Sequence, residues 1–407
     1  MQKSKIKNKN YRDGPKVPSR CEGQAALVAV MFFLAISTAI SGSVAYFTSI
    51  ELKSSASAVK SKQSISFTEG ASEDAAYRIA AGKNVPAQFS YSEGTLHATN
   101  TISVLDEYTK DILTQGAQTN VRRKNHVLME KVYKASFLFG GLVGEGGIHM
   151  QNTSSIIGNI HTNGSVTGQN FPKIIGNASA VGTISNPPTV SGTRAEGTSP
   201  QPMPIPEQVL DGWETEAENG GVYDGQCPYK PPDGATIGFL KIPCDMEIDG
   251  TKTVTLTGKI WIAGNLDIKN SATLKLAPSY GNKSEVVVVH DPDDEEEKGK
   301  ISVQNSAQIL GSGTDGSYIM MVSRNNAAES GEDETAIDIK NSSSASIYYA
   351  PHGKVVVQNA SQDVHLKTVT AYRLELKNSA SIEYESELAE VKIPYDQWVV
   401  TSWGEKP

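Results

Sequence analysis

Cysteine is scarce in this 407-residue chain, histidine is scattered, and no long apolar run follows residue 50. The seven histidines, from His97 to His365, share no spacing that would set two of them on one metal ion. No Ser/His/Asp set and no Gly-rich phosphate loop can be assembled from what is present. These absences predict a protein that is not an enzyme and that has no cofactor and no metal site. The acidic run Asp291–Lys298 does not alter that, because an EF-hand loop needs Gly at its sixth position and Glu at its twelfth. Lys and Arg number 37 against 45 Asp and Glu, for a net charge of −8. The main basic cluster lies within the first 22 residues, which argues against nucleic acid as a partner. A hydrophobic share of 38% with 36 glycines indicates β-structure with many turns.

What the sequence does have is one apolar stretch, Gly23 to Ile50, without a charged side chain. At ~1.5 Å per helical residue, Ala25–Phe47 reaches roughly 35 Å, enough to cross the hydrocarbon core of a bilayer. Lys3, Lys5, Lys7, Lys9, Arg12, Lys16 and Arg20 precede it, against only Asp13 and Glu22. The positive-inside rule puts that leader in the cytoplasm and the bulk of the chain outside. The run is longer than the apolar core of a cleaved secretory signal and ends in no small-residue cleavage site, so it predicts a retained single-pass anchor.

No loop follows the apolar run. Ile50, Leu52, Ala56, Val59, Ile65, Phe67, Ala71, Ala75 and Ile79 continue at helical spacing with charges between them, until Gly82 and Pro86 end the pattern. The short basic leader, the entry Gly23-Gln24-Ala25-Ala26-Leu27 and the ending Glu69-Gly70-Ala71-Ser72-Glu73-Asp74-Ala75-Ala76 together resemble the PilX-type N-terminal region of type IV pilus assembly proteins, the minor pilins. The resemblance covers about residues 15–82. It implies cleavage by a prepilin peptidase after Gly23, leaving Gln24 first, and assembly with other pilin or pilus subunits. At Val28 the chain departs from the major pilins, which carry Glu there; a bulk filament subunit is therefore not implied.

Beyond the stem, residues 83–139 read as a β-rich connecting region. Its strands lie near Thr95–Val104 and Val121–Val132, with a turn at Gln115-Gly116-Ala117 and a solvated turn at Arg122-Arg123-Lys124. From residue 140 a repeat emerges. Leu266-Asp267-Ile268-Lys269-Asn270 is echoed at Ile301–Asn305, Ile337–Asn341, Val355–Asn359 and Leu374–Asn378, with steps of 35, 36, 18 and 19 residues. In each copy two aliphatics alternate with polar residues, and Asn then tolerates the left-handed backbone of a sharp corner. One such unit cannot bury its apolar face alone, whereas stacked units share a core. The pattern predicts a mainly β fold: a parallel β-helix over residues 140–396 with rungs of ~18 residues. Asn270, Asn305, Asn341, Asn359 and Asn378 are expected as an internal ladder on one corner.

A Pro-rich insertion, 186–235, is expected to open as an extended linker and to carry a short helix at Glu207–Glu218, with Val209, Leu210, Trp213 and Ala217 on one face. Residues 397–407 are expected to cap the last rung. Cys21 would leave with the leader, residues 1–23, and the stem would be residues 24–82. Cys227 and Cys244 remain as an outside pair and predict a disulfide, worth about 3 kcal/mol in the loop-entropy account.

On the outer strand face Asp267, Asp338 and Glu375 form one column, and Lys269, Lys340 and Lys377 the next. An acid with a lysine two residues away reads as salt bridging on a solvated sheet rather than as catalysis. The expectation is a structural or adhesive surface protein whose partners are the membrane, pilus subunits and a surface polysaccharide or host-cell surface. The alternative is a membrane-tethered β-helix that binds or cleaves polysaccharide and joins no filament.

Overall fold

The computed structural model describes residues 21–106, 108–341, 347–359 and 366–406. The basic leader up to residue 20 lies outside the described residues, as do Ser342 and Ser343 of the third repeat copy. The chain divides into two compact units, one of residues 1–103, 111–127 and 402–407, the other of residues 104–110 and 128–401.

The first unit is built on one continuous helix of 60 residues, α1 (Cys21–Ala80). It stops where Gly82 takes φ +65°, a conformation open to glycine at little cost. Its first half is apolar and exposed along Leu27–Phe47. Thr38 Oγ1 and Thr48 Oγ1 donate back to the carbonyls of Leu34 (2.8 Å) and Val44 (2.9 Å), so those hydroxyls need no water. The second half lies on the strands β1 (Gln88–Glu93), β2 (Leu96–Asp106), β3 (Thr109–Gln118) and β4 (Val121–Ala135), which form one sheet in that order with the C-terminal strand Val391–Lys406 beside β4.

Three sequence expectations are corrected here. The buried stripe of α1 is Ser64, Thr68, Ala71, Ser72, Ala75, Ala76 and Ile79, while Ile50, Leu52 and Val59 are exposed, because only the last turns reach the sheet. Gln115-Gly116-Ala117 is no turn but part of β3, and the chain turns at Thr119-Asn120. Gly116 is needed in the strand because a Cβ there would stand 1.7 Å from Thr68 Oγ1 of the helix. Arg122-Arg123-Lys124 lies within β4, where Arg123 pairs with Glu405 at 3.1 Å. The close approach leaves room for a hydrogen-bonded seam instead of large aliphatics. Ser72 Oγ donates to Thr114 Oγ1 (2.9 Å), Thr114 Oγ1 to Asn100 Oδ1 (2.6 Å), and Asn100 Nδ2 to the Ala71 carbonyl (2.9 Å).

The second unit is mainly β, and its pairings are mostly parallel. Leu266–Lys269, Ile301–Gln304, Ile337–Lys340, Ile347–Gln358 and Thr368–Lys377 pair in succession. The alternation aligns Ile268, Val303, Ile339, Val357 and Leu376 in one buried column, each 0% exposed. A second sheet stacks Leu274 on Ile309 in the same way.

The spatial order of the strands is not their order in the chain. Gly141–Gln151, here β5, pairs with Thr368–Lys377 on one side and with Ile160–Thr162 on the other. From β5 the strands run outward through Ile160–Thr162 and Ala178–Ala180 to Arg194–Ala195 at one edge; Leu240–Ile242 forms the opposite edge of that sheet. Residues 196–239 join the two edges.

The expected linker is therefore corrected at its start. Thr189–Val190 pairs with Lys173–Ile175 and Arg194–Ala195 with Ala178–Ala180, extending both ladders by one strand. Pro187 and Pro188 precede these short strands, where no ladder N–H is required of them. The expected helix is present as α2 (Glu207–Asn219), with Leu210, Trp213 and Ala217 buried. It covers the outer side of Ile260–Ile262 and Glu285–Val289, where Val286 and Val288 join Trp213 in a second core. Val287 and Val289 face the first core, so that strand is buried on both faces and reads as an unbroken apolar run. The C-terminal tail caps no rung: it is a sheet strand beside β4, with Trp398 under the ammonium groups of Lys110 and Lys131 at 4.4 and 5.4 Å.

Candidate functional site

The Asn corners are the most regular feature of the second unit. Asn270, Asn305, Asn341, Asn359 and Asn378 all have left-handed backbones, with φ between +49° and +58°. Asn152 (φ +51°) and Asn170 (φ +58°) extend the series. Side-chain amides link corners at both ends of this series. Asn305 Nδ2 donates to Asn270 Oδ1 (3.1 Å), and Asn270 Nδ2 to Asp249 Oδ1 (2.7 Å). Asn170 Nδ2 donates to Asn152 Oδ1 (2.8 Å), and Asn152 Nδ2 to Asn378 Oδ1 (2.9 Å). The ladder is external, which corrects the expectation of an internal one. Asn270, Asn305, Asn341, Asn359 and Asn378 are exposed, and the interior behind the corners is taken by Ala272, Ala307 and Ala380, each 0% exposed.

The outer face of the same strands carries the charged columns. Glu247, Asp267, Ser302, Asp338, Val356, Glu375 and His149 are successive cross-strand partners, and Lys340, Gln358 and Lys377 follow one another in the next column. The acids are matched by cations. Lys269 and Lys230 lie 2.7 and 2.6 Å from Glu247, and their hydrogen bonds hold its carboxyl down at about 2. Lys340 pairs with Asp338. Burial opposes ionisation of Glu375, yet Lys377 and Arg373, both at 2.6 Å, keep its carboxyl below the usual range. Glu247, Asp338 and Glu375 are each held in an ion pair along this face. Among the described residues no group of three or more His, Cys, Asp or Glu could hold a metal ion.

Sequence reasoning missed the ionic clamp on α2. Arg324 meets Glu207, Asp211 and Glu214 at 2.9, 2.8 and 2.7 Å. His290 Nδ1 lies 2.8 Å from Glu214, and His352 bridges Glu207 and Glu329. The hydrogen bond to Glu207 raises the His352 pKa against the effect of burial, and Glu329 adds to it. On the other flank the buried Lys259 reaches Glu216 at 2.9 Å and Glu285 at 3.4 Å. The signal was present as acids at positions 207, 211, 214 and 218, the spacing of one helical face, but nothing in the sequence named their partners.

Cys227 and Cys244 are bonded, with Cα atoms 6.0 Å apart. Residues around the bridge pair Val222 with Lys241 and Tyr229 with Met246, so the disulfide fastens the segment that covers the edge at Leu240–Ile242. Gly23 and Gln24 lie in the first turn of α1, the one described helix long and apolar enough to cross a membrane.

No protein-family model and no curated protein matches this chain. Among solved structures it is similar to the competence-associated pilin ComZ from Thermus thermophilus, at 10% identity, with 85% of this chain and 97% of that chain covered and a TM-score of 0.29. A score that low carries no argument about this chain's fold or role.

Proposed function

We propose that the chain is a minor-pilin-like surface protein of the PilX type, anchored by α1 and carrying a parallel β-helix outside the membrane. The observation that carries the reading is α1 itself. A single helix of 60 residues begins as an exposed apolar rod and ends as a face packed on a sheet. A soluble protein would not leave Leu27, Phe32, Phe33, Leu34 and Phe47 each more than half exposed. Lipid or the apolar helices of neighbouring subunits would cover them. In this reading a prepilin peptidase cuts between Gly23 and Gln24, and the N-terminal side of the helix faces the cytoplasm. The second unit is displayed at the cell surface or on a pilus, with structural or adhesive work and no catalysis.

The parallel registers, the shared inner column and the Asn corners support the β-helix part of this reading. One consequence is mechanical. Chain entry at β5 and exit after Thr368–Lys377 lie on adjacent strands in the middle of the ladder, so both ends of the coil are free of chain termini.

N-terminal sequencing of the protein from membranes of a host that makes the peptidase tests the proposal. Gln24 is expected as the first residue. An intact leader in that host would reduce the protein to a plain tethered β-helix.

A further inference from the structure

We infer that the outer face of the sheet formed by Thr189–Val190, Lys173–Ile175, Ser155–Ile157 and Ser381–Glu383 is a binding groove for a neutral, hydroxyl-rich glycan chain. The groove holds about 660 Å³, and three of the residues that line it, Phe171, Ile157 and Ile175, break the pattern of the repeat. At the corner, the residue after Asn is Ser271, Ser306, Ser379 or Thr153, each with φ between +60° and +67°. The equivalent residue of the next coil is Phe171, at φ +63°, with 78% of its surface exposed. A bulky ring in a left-handed backbone, aimed at water, gains nothing for the core. On the sheet itself the outward position beside Glu383 is Ile157 and then Ile175, 37% and 49% exposed. Alternation calls for polar residues there, as the neighbouring charged columns show.

Between these apolar side chains run hydroxyls at the spacing of adjacent strands. Ser155 and Ser381 lie 3.0 Å apart, and Thr153 and Ser379 2.9 Å apart. Thr153 Oγ1 donates to the Asn152 carbonyl (2.6 Å) and so accepts from Ser379, while in the Ser155–Ser381 pair either oxygen can donate, so that pair can turn toward a ligand hydroxyl of either polarity. One cation, Lys173, and one anion, Glu383, complete the lining, and the site carries no net charge. That balance selects against an acidic polymer. The backbone groups of the central strands are spent in the ladder, so an added peptide strand would find no N–H or C=O partners on this face. A lipid tail would make no use of the hydroxyls, whereas a ligand hydroxyl can join each pair as a further partner. A pyranose has an apolar C–H face for Phe171, Ile157 and Ile175 and hydroxyls for Ser155 and Ser381, which is the chemistry the groove offers.

The proposal deepens the reading of the second unit as a displayed surface and rests on it. Its test is calorimetric titration of the full chain, in nanodiscs free of sugar-headgroup detergent, with cellohexaose, chitohexaose and maltohexaose. Binding of at least one is expected, weakened about tenfold by Phe171→Ser, the loss expected for one stacked ring. Phe171→Ser installs the residue type of the sister corners and should leave the melting temperature unchanged. Ile175→Glu should abolish binding by filling and charging the groove. The proposal is overturned if none of the three binds, or if binding survives both substitutions. Concentration-dependent dimerisation that Ile175→Glu abolishes, in sedimentation velocity, would give the groove to a second copy and equally overturn it. Failure of either kind leaves the Gln24 terminus, and with it the pilin-like reading, standing.

Discussion

Glu285–Val289 and Leu266–Lys269 belong to the same sheet, yet one is buried at every residue and the other only at every second. The inner faces are alike. The difference lies outside, where α2 covers the first and water covers the second. Under α2 the outward residues are Val286 and Val288, packed with Trp213. On the open strand the corresponding face holds Asp267 and Lys269. A parallel ladder therefore fixes only what points inward, and the outer face is free to become a second core, an ion-pair ladder or a ligand groove.

Substitutions on the two faces can break that comparison, beginning with the inner column they share. Val357→Asp would bury a carboxylate without a partner, at a cost of several kcal/mol, and thermal melts should show a large fall or no folded protein. A small effect would mean that the column is not buried as a continuous core.

Trp213→Ala tests the covered face. The ring is fully buried and meets Tyr133 edge-on at 5.9 Å, so about 3–5 kcal/mol should be lost in chemical denaturation. A loss below about 1 kcal/mol would show that α2 is not what shields Val286 and Val288.

Titration gives a third, smaller test, because α2 is also held by charge. His352 has its pKa raised by the hydrogen bond to Glu207 and by Glu329, with Arg324 nearby on the same carboxylate. A raised pKa in the folded state adds stability that is complete below the unfolded histidine pKa of about 6.5 and fades as pH rises through the folded value. The melting temperature should therefore decline as the pH rises above about 6.5, and His352→Gln should flatten that decline. An unchanged slope in the variant would remove His352 from the clamp.

The smallest effect belongs to the open face. Gln358 points outward beside Val357 and donates only a long bond, 3.4 Å, to Asp338. Gln358→Ala should cost under about 0.5 kcal/mol by thermal melt. A cost near that of Val357→Asp would mean the alternation has been read in the wrong phase.

Much of this comparison was legible before any coordinates. Ile268, Val303, Ile339, Val357 and Leu376 could be picked out by a period of two, and α2 by Leu210, Trp213 and Ala217 at helical spacing. The failures share a cause. The stripe of α1 holds at Ala71, Ala75 and Ile79 but not at Ile50, Leu52 and Val59, and Ser64, Thr68 and Ser72 join it because Gly116 brings the backbones so close that small polar residues fit where larger ones would clash. Such a choice depends on the facing surface, which local periodicity does not contain. The groove was missed because Ile157 and Ile175 are 18 residues apart and come together, beside Phe171, only when their strands pair.

By itself the sequence determined the length and apolarity of α1, the inward alternation of each repeated strand and the left-handed Asn corners, since each follows from the residue and its near neighbours. Which strand lies beside which was decided by the tertiary structure. Every copy offers the same register and the same inner face, so hydrogen bonding alone cannot distinguish one neighbour from another. The joining segment 196–239 and the entry at β5 break that degeneracy. They set Gly141–Gln151 against Thr368–Lys377, more than two hundred residues away, where Asn152 and Asn378 close the ladder across a separation of 226.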